Sequence, residues 1–241
     1  MIIDTFMYFN EQDVAEIRMN ELEDVVDLFV IGRGDITFSG KQNTHEFVVP
    51  DKFRDRTIIE THVLWQTCDA WTRERQLRGK MLERIEEQAP SDSTIIFTDV
   101  DEIPSAETVE RAFHSNQVHS LNLDHYNYSF RYLKPHWECG LIAPANELFR
   151  MRPADLRMFR GESLEGGWHL SYFGDAEHVQ QKLQAYSHTE FNVAKYTNLN
   201  RLRDCIENNI DIIDREPVEI EPRFKLPTYV TENKDRFKDY L

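Results

Sequence analysis

Residues 94 to 104 read Thr-Ile-Ile-Phe-Thr-Asp-Val-Asp-Glu-Ile-Pro, and this stretch decides the fold class. The run from Ile95 to Phe97 is short, apolar and mostly β-branched, which is typical of a strand buried on both faces. Two carboxylates, Asp99 and Asp101, follow it directly. Ligands of open α/β sheets bind at the carboxyl ends of such strands. Carboxylate oxygens there suit Mg²⁺ or Mn²⁺, which bridge one or two carboxylates to substrate phosphates.

A second interpretation of the same residues needs no ligand. Asp99 and Asp101 then cap only the turn that follows the strand and the helix that Pro104 and Ser105 begin. The Asp-x-Asp pattern alone does not separate these two interpretations.

The residues before this strand alternate between strand and helix patterns. Asn10 is placed to cap the first helix, whose apolar face carries Val14, Ile17 and Leu22. This alternation predicts an α/β fold with a mostly parallel, doubly wound sheet flanked by helices. The predicted strands are 2–9, 25–31 and 57–63, and the predicted helices are 11–22 and 67–88.

Beyond a helix at 105–113 the periodicity is less regular. Segments 117–132 and 137–151 alternate apolar and aromatic residues, which indicates strands or a hairpin. Helices are predicted at 175–186, with Ala176, Val179, Leu183 and Tyr186 as the buried stripe, and at 199–208. From Pro217 onward we expect a tail lying over the surface. The 241 residues form a single domain in this interpretation.

Composition excludes several classes of function. The net charge of −15 argues against a general nucleic-acid or anionic-membrane surface, so small-ligand phosphates would need a metal or a local basic pocket. Three widely spaced cysteines argue against a disulfide framework and a zinc site. No signal peptide or membrane span is recognisable, so we expect a soluble protein of the reducing cytoplasm.

One face of the long predicted helix mixes charge with apolar residues. Trp71, Glu74, Arg78, Met81 and Ile85 follow one another at steps of three and four. If this face is exposed, Glu74 and Arg78 form a solvated helix pair. If it is buried, the pair must be satisfied internally or meet a ligand such as a sugar nucleotide.

Residues 165–174 read Glu-Gly-Gly-Trp-His-Leu-Ser-Tyr-Phe-Gly. Trp168 offers a flat apolar face for a sugar ring, and His169 is a potential metal ligand or proton carrier, although a histidine in the core or in a loop is the simpler interpretation. Downstream, Asp175 is a helix cap and Glu177 lies in the first helical turn. His188 and Glu190 follow that helix.

Taken together, several segments resemble glycosyltransferase family 17. This is the family of the β-1,4-mannosyl-glycoprotein N-acetylglucosaminyltransferases, which add bisecting GlcNAc, with soluble bacterial and viral relatives. The similarity covers nearly the whole chain, and its most specific parts are Asp-Glu-Ile-Pro at 101–104 and Gly-Trp-His at 167–169. The other matching segments are 3–6, 10–18, 25–31, 37–41, Trp71 with Glu74 and Arg78, 182–183, 187–188 and 233–237.

The resemblance implies a Rossmann-like GT-A fold and an inverting, metal-dependent transfer from a nucleotide sugar, UDP-GlcNAc in this family, to a glycan or other saccharide acceptor. Residues 1–104 would form the donor half, and 105–241 the acceptor half with the tail. The setting would be the cytoplasm of a bacterium or of a virus-infected host cell.

The same resemblance assigns roles to individual residues. Asp99 and Asp101 would hold Mn²⁺ or Mg²⁺ against the diphosphate, with His169 first and His188 second as the histidine that completes the metal shell. Glu177 and Glu190 are both candidates for the base that takes the proton of the acceptor hydroxyl. The residues implied in donor binding are Asp4, Arg33, Glu74, Arg78, Asp99 and Trp168.

One position departs from the family pattern. Where we expect Val-Ile-Val-Glu-Ala, residues 30–34 read Val-Ile-Gly-Arg-Gly, so Arg33 replaces an acid at a strand end facing the donor cleft. This charge reversal leaves the base and the sugar of the donor open. Arg33 would serve a more anionic donor or a partner's carboxylate, or it would point to solvent without a role.

Two other functions compete with glycosyl transfer. In a haloacid-dehalogenase-like phosphatase Asp99 would attack phosphorus and Asp101 would act as acid and base, but Pro104 and the long segment before the motif make that arrangement awkward. The second competing function is that of a sugar-nucleotide-binding module that keeps the fold but has lost catalysis. The unexpected arginine at position 33 suggests it.

Overall fold

The computed structural model describes residues 1–215 and 221–241. Its strands are β1 (Ile2–Met7), β2 (Leu28–Gly34), β3 (Thr57–His62), β4 (Thr94–Phe97), β5 (Glu102–Pro104), β6 (His119–Asn127), β7 (Leu133–Pro144) and β8 (Glu162–Ser171). The helices are α1 (Gln12–Glu21), α2 (Ala70–Gln88), α3 (Ala106–Ser115), α4 (Ala145–Leu148), α5 (Ala176–Ala185), α6 (Ala194–Thr197), α7 (Leu199–Asn208) and α8 (Thr228–Glu232). Short 3₁₀ helices cover Asp51–Arg56 and Thr189–Phe191.

All eight strands form one sheet in the order β3-β2-β1-β4-β7-β6-β8-β5. The first four lie parallel, with Ile3 opposite both Leu28 and Ile95. Every residue of β4 is buried, as its apolar run predicts. Because parallel strands align their carboxyl ends, the residues after β1, β2 and β4 meet at one edge of the sheet.

The second half of the sheet differs from a doubly wound arrangement. Strand β7 is antiparallel to both β4 and β6, and β5 is antiparallel to β8, while β6 and β8 are parallel. The short connection between β6 and β7 accounts for the antiparallel pairing of these two strands, because a parallel pair needs a longer crossover. The sheet stays mostly parallel, with four parallel and three antiparallel pairings among the described strands.

Strand β2 begins and ends later than the predicted 25–31, because Gly32 and Gly34 belong to it. A Cβ atom at Gly32 would lie 2.6 Å from the side chain of Met81, and one at Gly34 would lie 2.5 Å from Leu64. The glycines therefore allow close packing within the strand rather than ending it. As a result, Arg33 is held on a strand.

Helix caps agree with the sequence in one case and differ in another. Asp175 caps α5 by accepting from the backbone N–H of His178, as predicted. Asn10 does not cap α1; the N-cap is Glu11, whose carboxylate accepts from the N–H groups of Phe9 and Asn10. The longer side chain of Glu11 folds back over the preceding turn, which leaves Asn10 to bond Gln181.

The carboxyl-terminal residues are part of the core, which corrects the expectation of a surface tail. Val230 and Phe237 are fully buried in the cluster that contains Val14 and Ile17 of α1. Their apolar side chains cover the outer face of that helix. Pro217, where the tail was predicted to begin, lies outside the described residues.

The sheet separates two apolar layers. One lies on the α1 side and includes Phe6, Ile31 and Phe53, and the other lies on the α2 side and includes Val30 and Met81. Within the described residues no helix has both the length and the apolar character that crossing a bilayer requires.

A buried ion pair ties α1 to the sheet. The Nε and Nη2 atoms of Arg18 donate to the two carboxylate oxygens of Asp4 at 2.8 and 2.5 Å, and both side chains are inaccessible to solvent. Arg18 also donates through Nη1 to the carbonyl oxygens of Asp99 at 2.8 Å and Glu102 at 2.9 Å, and through Nη2 to Thr98 Oγ1 at 2.7 Å. The loop after β4 is therefore fixed from within the core.

We expect Arg18→Leu to lower the free energy of unfolding by about 3–5 kcal/mol, because it leaves the charge of Asp4 buried without a partner. Urea unfolding followed by circular dichroism measures this loss. Arg150→Leu is the control, since Arg150 forms a solvent-exposed pair with Glu147 and its loss should change the free energy of unfolding by less than about 0.5 kcal/mol. Equal stability of the two variants would contradict a structural role for Arg18.

Candidate active site

Asp99 lies at the carboxyl end of β4 between two arginines. Arg78 of α2 donates to Asp99 Oδ1 at 2.7 Å, and Arg157 lies 2.8 Å from Oδ2. Both carboxylate oxygens are therefore occupied by guanidinium groups. Arg157 comes from the segment between α4 and β8, in which no motif indicates a functional residue.

Glu102, a neighbouring acid in the Asp-Glu-Ile-Pro segment, is a site residue that was not predicted. Its Oε1 accepts from Trp137 Nε1 at 2.9 Å and from Arg157 at 2.7 Å, and its Oε2 accepts from the backbone N–H of Asp99 at 2.9 Å. Burial would raise the pKa of Glu102, but Arg157 and the other contacts lower it to about 2. The carboxylate therefore stays ionised and holds the loop in shape.

Asp101 points to a different group of residues. Lys182 of α5 donates to its Oδ2 at 2.8 Å, and His169 Nε2 of β8 lies 3.7 Å from its Oδ1. Burial would favour the neutral acid, but Lys182 and His169 hold the pKa of Asp101 well below its usual range. Lys182 also lies 3.3 Å from Glu11 Oε1, which joins the start of α1 to this corner.

The charged face of α2 is buried, so the interpretation of Glu74 and Arg78 as a solvated pair is wrong. Arg78 is 3% exposed and donates to Glu74 Oε1 at 3.0 and 3.2 Å as well as to Asp99. Glu74 Oε2 accepts from the hydroxyl of Ser187. The pair is thus satisfied internally, and it connects Ser187 to Asp99 through hydrogen bonds of Glu74 and Arg78.

His169 belongs to a stack of three rings. His125 of β6 lies over it at 4.5 Å between ring centroids, and Trp137 lies at 4.7 Å on β7. Burial and the neighbouring His169 lower the pKa of His125 to about 2, so this ring is neutral. The stack fixes the plane of His169 and therefore the direction in which its Nε2 faces Asp101.

Within residues 1–215 and 221–241 no group of three or more histidine, cysteine, aspartate or glutamate side chains is placed to hold a metal ion. Asp101 and His169 nevertheless present an oxygen and a nitrogen to each other at a distance longer than a hydrogen bond. Two protein donors fit Mg²⁺ or Mn²⁺, which take their remaining ligands from water and substrate phosphates.

Two of the residues implied in donor binding lie in the interior. Trp168 is 5% exposed and donates through Nε1 to the carbonyl oxygen of Lys225 at 2.9 Å, so it offers no open face to a sugar. Neighbouring side chains on a strand point to opposite faces, and it is His169 that faces Asp101. Asp4 is fully buried against Arg18 and supports the loop from below.

The second predicted histidine lies at the rim of the site. His188 packs edge-on against the half-exposed Trp71 with ring centroids 4.6 Å apart, and its Nδ1 lies 2.7 Å from Glu190 Oε1. Through the adjacent Ser187 this rim is connected to Glu74. Among the described residues His188 makes no contact with either aspartate.

Glu177 lies away from the cluster around Asp101. It pairs with Arg203 and lines a shallow hollow of about 350 Å³ together with His178 and Tyr240. Glu177 and Lys182 are five residues apart on α5, so they project about 140° apart around the helix axis. His178, four residues before Lys182, lies on the same side of this helix as Lys182.

The family model of glycosyltransferase family 17 matches residues 1–241, the whole chain. The chain belongs to glycosyltransferase family 17. This membership makes it a glycosyltransferase, which uses a sugar donor and an acceptor, and it decides against the phosphatase hypothesis. The single-domain α/β sheet with helices on its faces agrees with the GT-A-like fold that the resemblance implied. No curated protein matches the chain.

We expect the contribution of Glu102 to the stability of this family 17 enzyme to depend on pH. Its pKa is lowered from an ordinary value of 4.5 to about 2, so the stabilisation is complete above pH 4.5 and is lost as the pH falls toward 2. Glu102→Gln should therefore lower the free energy of unfolding by about 3 kcal/mol at pH 7. The difference from wild type should shrink by about 1 kcal/mol at pH 3.5.

Urea unfolding at the two pH values measures this dependence. Glu147→Gln, which removes an exposed carboxylate paired with Arg150, is the matched control and should show no such trend. If Glu102→Gln lowers the free energy of unfolding by the same amount at both pH values, the lowered pKa of Glu102 in the folded protein is refuted.

Proposed function

We propose that this enzyme transfers a sugar, with inversion and with the help of Mn²⁺ or Mg²⁺, from a nucleoside diphosphate sugar to a saccharide acceptor. UDP-GlcNAc is the first donor to test. The observation that carries the proposal is Asp101, an ionised carboxylate held between Lys182 and His169 at the carboxyl edge of the sheet.

The charge balance of the site supports a divalent cation. Among the described residues, five carboxylates are joined by short contacts to three Lys or Arg cations, Arg78, Arg157 and Lys182. The carboxylates therefore outnumber these cations by two. A buried excess of negative charge is costly, and one divalent ion offsets it. The carboxylates concerned are Glu11, Glu74, Asp99, Asp101 and Glu102.

Asp101 and His169 would hold the ion, which when bound would stabilise the negative charge that develops on the departing diphosphate. Asp99, with both oxygens bound by arginine, would orient Arg78 and Arg157. These two arginines and Lys182 supply fixed positive charge at the same edge of the sheet. Fixed groups of this kind stabilise a developing anion without reorganising during the reaction.

Inversion by direct displacement needs a base on the face of the sugar opposite the leaving group. Glu190 at the rim and Glu177 beside the hollow remain the two candidates. Glu190 is connected to the site through His188 and Ser187, whereas Glu177 is engaged by Arg203. We therefore favour Glu190.

We also propose a reducing compartment, the cytoplasm, as the place of action. Cys68, Cys139 and Cys205 are all free thiols, two of them buried, which is consistent with the absence of an oxidising environment.

We expect Asp101→Asn to lose metal-dependent transfer by at least about a hundredfold, because it removes the charge that binds the ion. A screen of nucleotide sugars with Mn²⁺ that reads out released nucleotide first identifies the donor of the wild-type enzyme. Asp155→Asn, an exposed partner of Arg152, is the control and should retain the wild-type rate. Full activity of Asp101→Asn in the presence of a chelator would disprove the metal assignment.

Substituting the two base candidates separately distinguishes them. We expect Glu190→Gln to lower kcat by about 10²- to 10⁴-fold while donor binding persists, since a general base acts in the transition state. Glu177→Gln should change kcat little. The reverse pattern would transfer the role to Glu177, and unchanged rates in both variants would discard both residues.

A further inference from the structure

Arg33 is a cation that its surroundings do not neutralise. Within the described residues its guanidinium makes one hydrogen bond, from Nη2 to the carbonyl oxygen of Asn43 at 3.1 Å. Its Nε is buried and has no partner there. In a chain with 43 acidic and 28 basic side chains, a half-buried arginine without a carboxylate is unexpected. The unused donors are available to a ligand.

The carbonyl that holds Arg33 belongs to a fixed frame. Asn43 is buried, its Nδ2 donates to the carbonyl oxygen of Gly34 at 2.9 Å, and its Oδ1 accepts from the N–H of His45 at 3.2 Å. Its own N–H donates to the carbonyl oxygen of Asp35 at 2.9 Å. Arg33 is thus positioned by a rigid neighbour rather than swinging freely in solvent.

Arg33 lies at the carboxyl edge on which Asp99 also lies. Strand β2 is separated from β4 by β1 alone, so two strand spacings, about 10 Å, separate their ends. A nucleoside diphosphate extends its base over a comparable distance from its phosphates. Lys182 contacts both Asp101 and Glu11, and Glu11 follows β1, the strand next to β2. With the diphosphate beside Lys182, the base would therefore reach the end of β2.

Polar and aromatic groups continue between these two points. Lys182 contacts Glu11. Burial and the charge of Glu11 raise the pKa of the Tyr8 phenol, and Arg33 lowers it, so both charges act on Tyr8. Beyond Tyr8, the half-buried rings of Phe9 and His45 pack edge to face at 4.7 Å. Flat aromatic rings of this kind are suited to a nucleobase.

We propose that Arg33 reads the nucleobase of the donor by donating to a ring carbonyl oxygen, so that uracil or guanine is accepted and cytosine or adenine is rejected. Arginine only donates hydrogen bonds. Uracil O4 and guanine O6 accept them, whereas cytosine and adenine present an amino group at the equivalent position. The inference rests on the proposed use of a nucleoside diphosphate sugar.

Isothermal titration calorimetry with UDP, CDP, GDP and ADP, each with Mn²⁺, tests this directly. UDP differs from CDP, and GDP from ADP, at the group that Arg33 would contact: a carbonyl oxygen in the first member of each pair and an amino group in the second. We expect wild type to bind UDP at least about tenfold more tightly than CDP, or GDP than ADP. The pair that shows the larger preference identifies the base.

Two variants complete the experiment. Arg33→Gln can offer either an amide oxygen or an amide nitrogen, so the preference should fall to within about threefold. Arg33→Glu accepts hydrogen bonds and should reverse it. Arg150→Gln, on the exposed surface, is the control and should keep the wild-type ratio. Thermal melting verifies that each variant is folded, and Arg33→Glu serves if Arg33→Gln does not fold. Arg33→Lys, which still only donates hydrogen bonds, should keep the preference for the carbonyl base.

The outcomes separate the inference from the proposed function. Nucleotide binding without any preference in wild type, or with a preference that Arg33→Gln or Arg33→Glu retains in full, would overturn the role of Arg33 and leave the enzyme's use of a nucleotide donor intact. Failure of wild type to bind any of the four nucleotides would overturn the proposed donor class itself.

Discussion

The bidentate pair between Arg18 and Asp4 is the interaction on which the site depends. A carboxylate buried in β1 and a guanidinium from α1 neutralise each other, and the remaining donors of the arginine hold the carbonyl oxygens of Asp99 and Glu102. The acidic loop therefore takes its shape from the core beneath it. The carboxylates of Asp99, Asp101 and Glu102 are thus free to pair with Arg78, Arg157 and Lys182.

Those cations come from distant parts of the chain. Arg78 lies on α2, Arg157 follows α4, and Lys182 lies on α5, yet all three converge on the residues after β4. The result is a dense, ordered cluster of opposite charges with a negative excess. Such preorganisation suits a glycosyltransferase, because fixed charges stabilise a transition state without reorganising during the reaction.

Local sequence patterns predicted much of this arrangement, and their failures have physical reasons. The parallel strands, α2, α5 and α7 follow from periodicity and capping, and Asp99 and Asp101 follow from the abrupt end of β4. The antiparallel pair of β6 and β7 lies in the segments predicted as strands or a hairpin. The pairing of β7 with β4 and of β5 with β8 was not predictable, because it depends on contacts between distant strands. Arg157 gives no local signal, and the burial of Trp168 depends on the register of β8 against β5.

The packing of the last residues against α1 has a consequence for biosynthesis. Val230 and Phe237 cover the helix that carries Arg18, and Tyr229 and Arg236 bond its Glu16. These residues emerge from the ribosome after every strand of the sheet has been made. The nascent enzyme must therefore keep the outer face of α1 exposed until translation of this stretch is complete, which makes that face the surface a chaperone would have to shield.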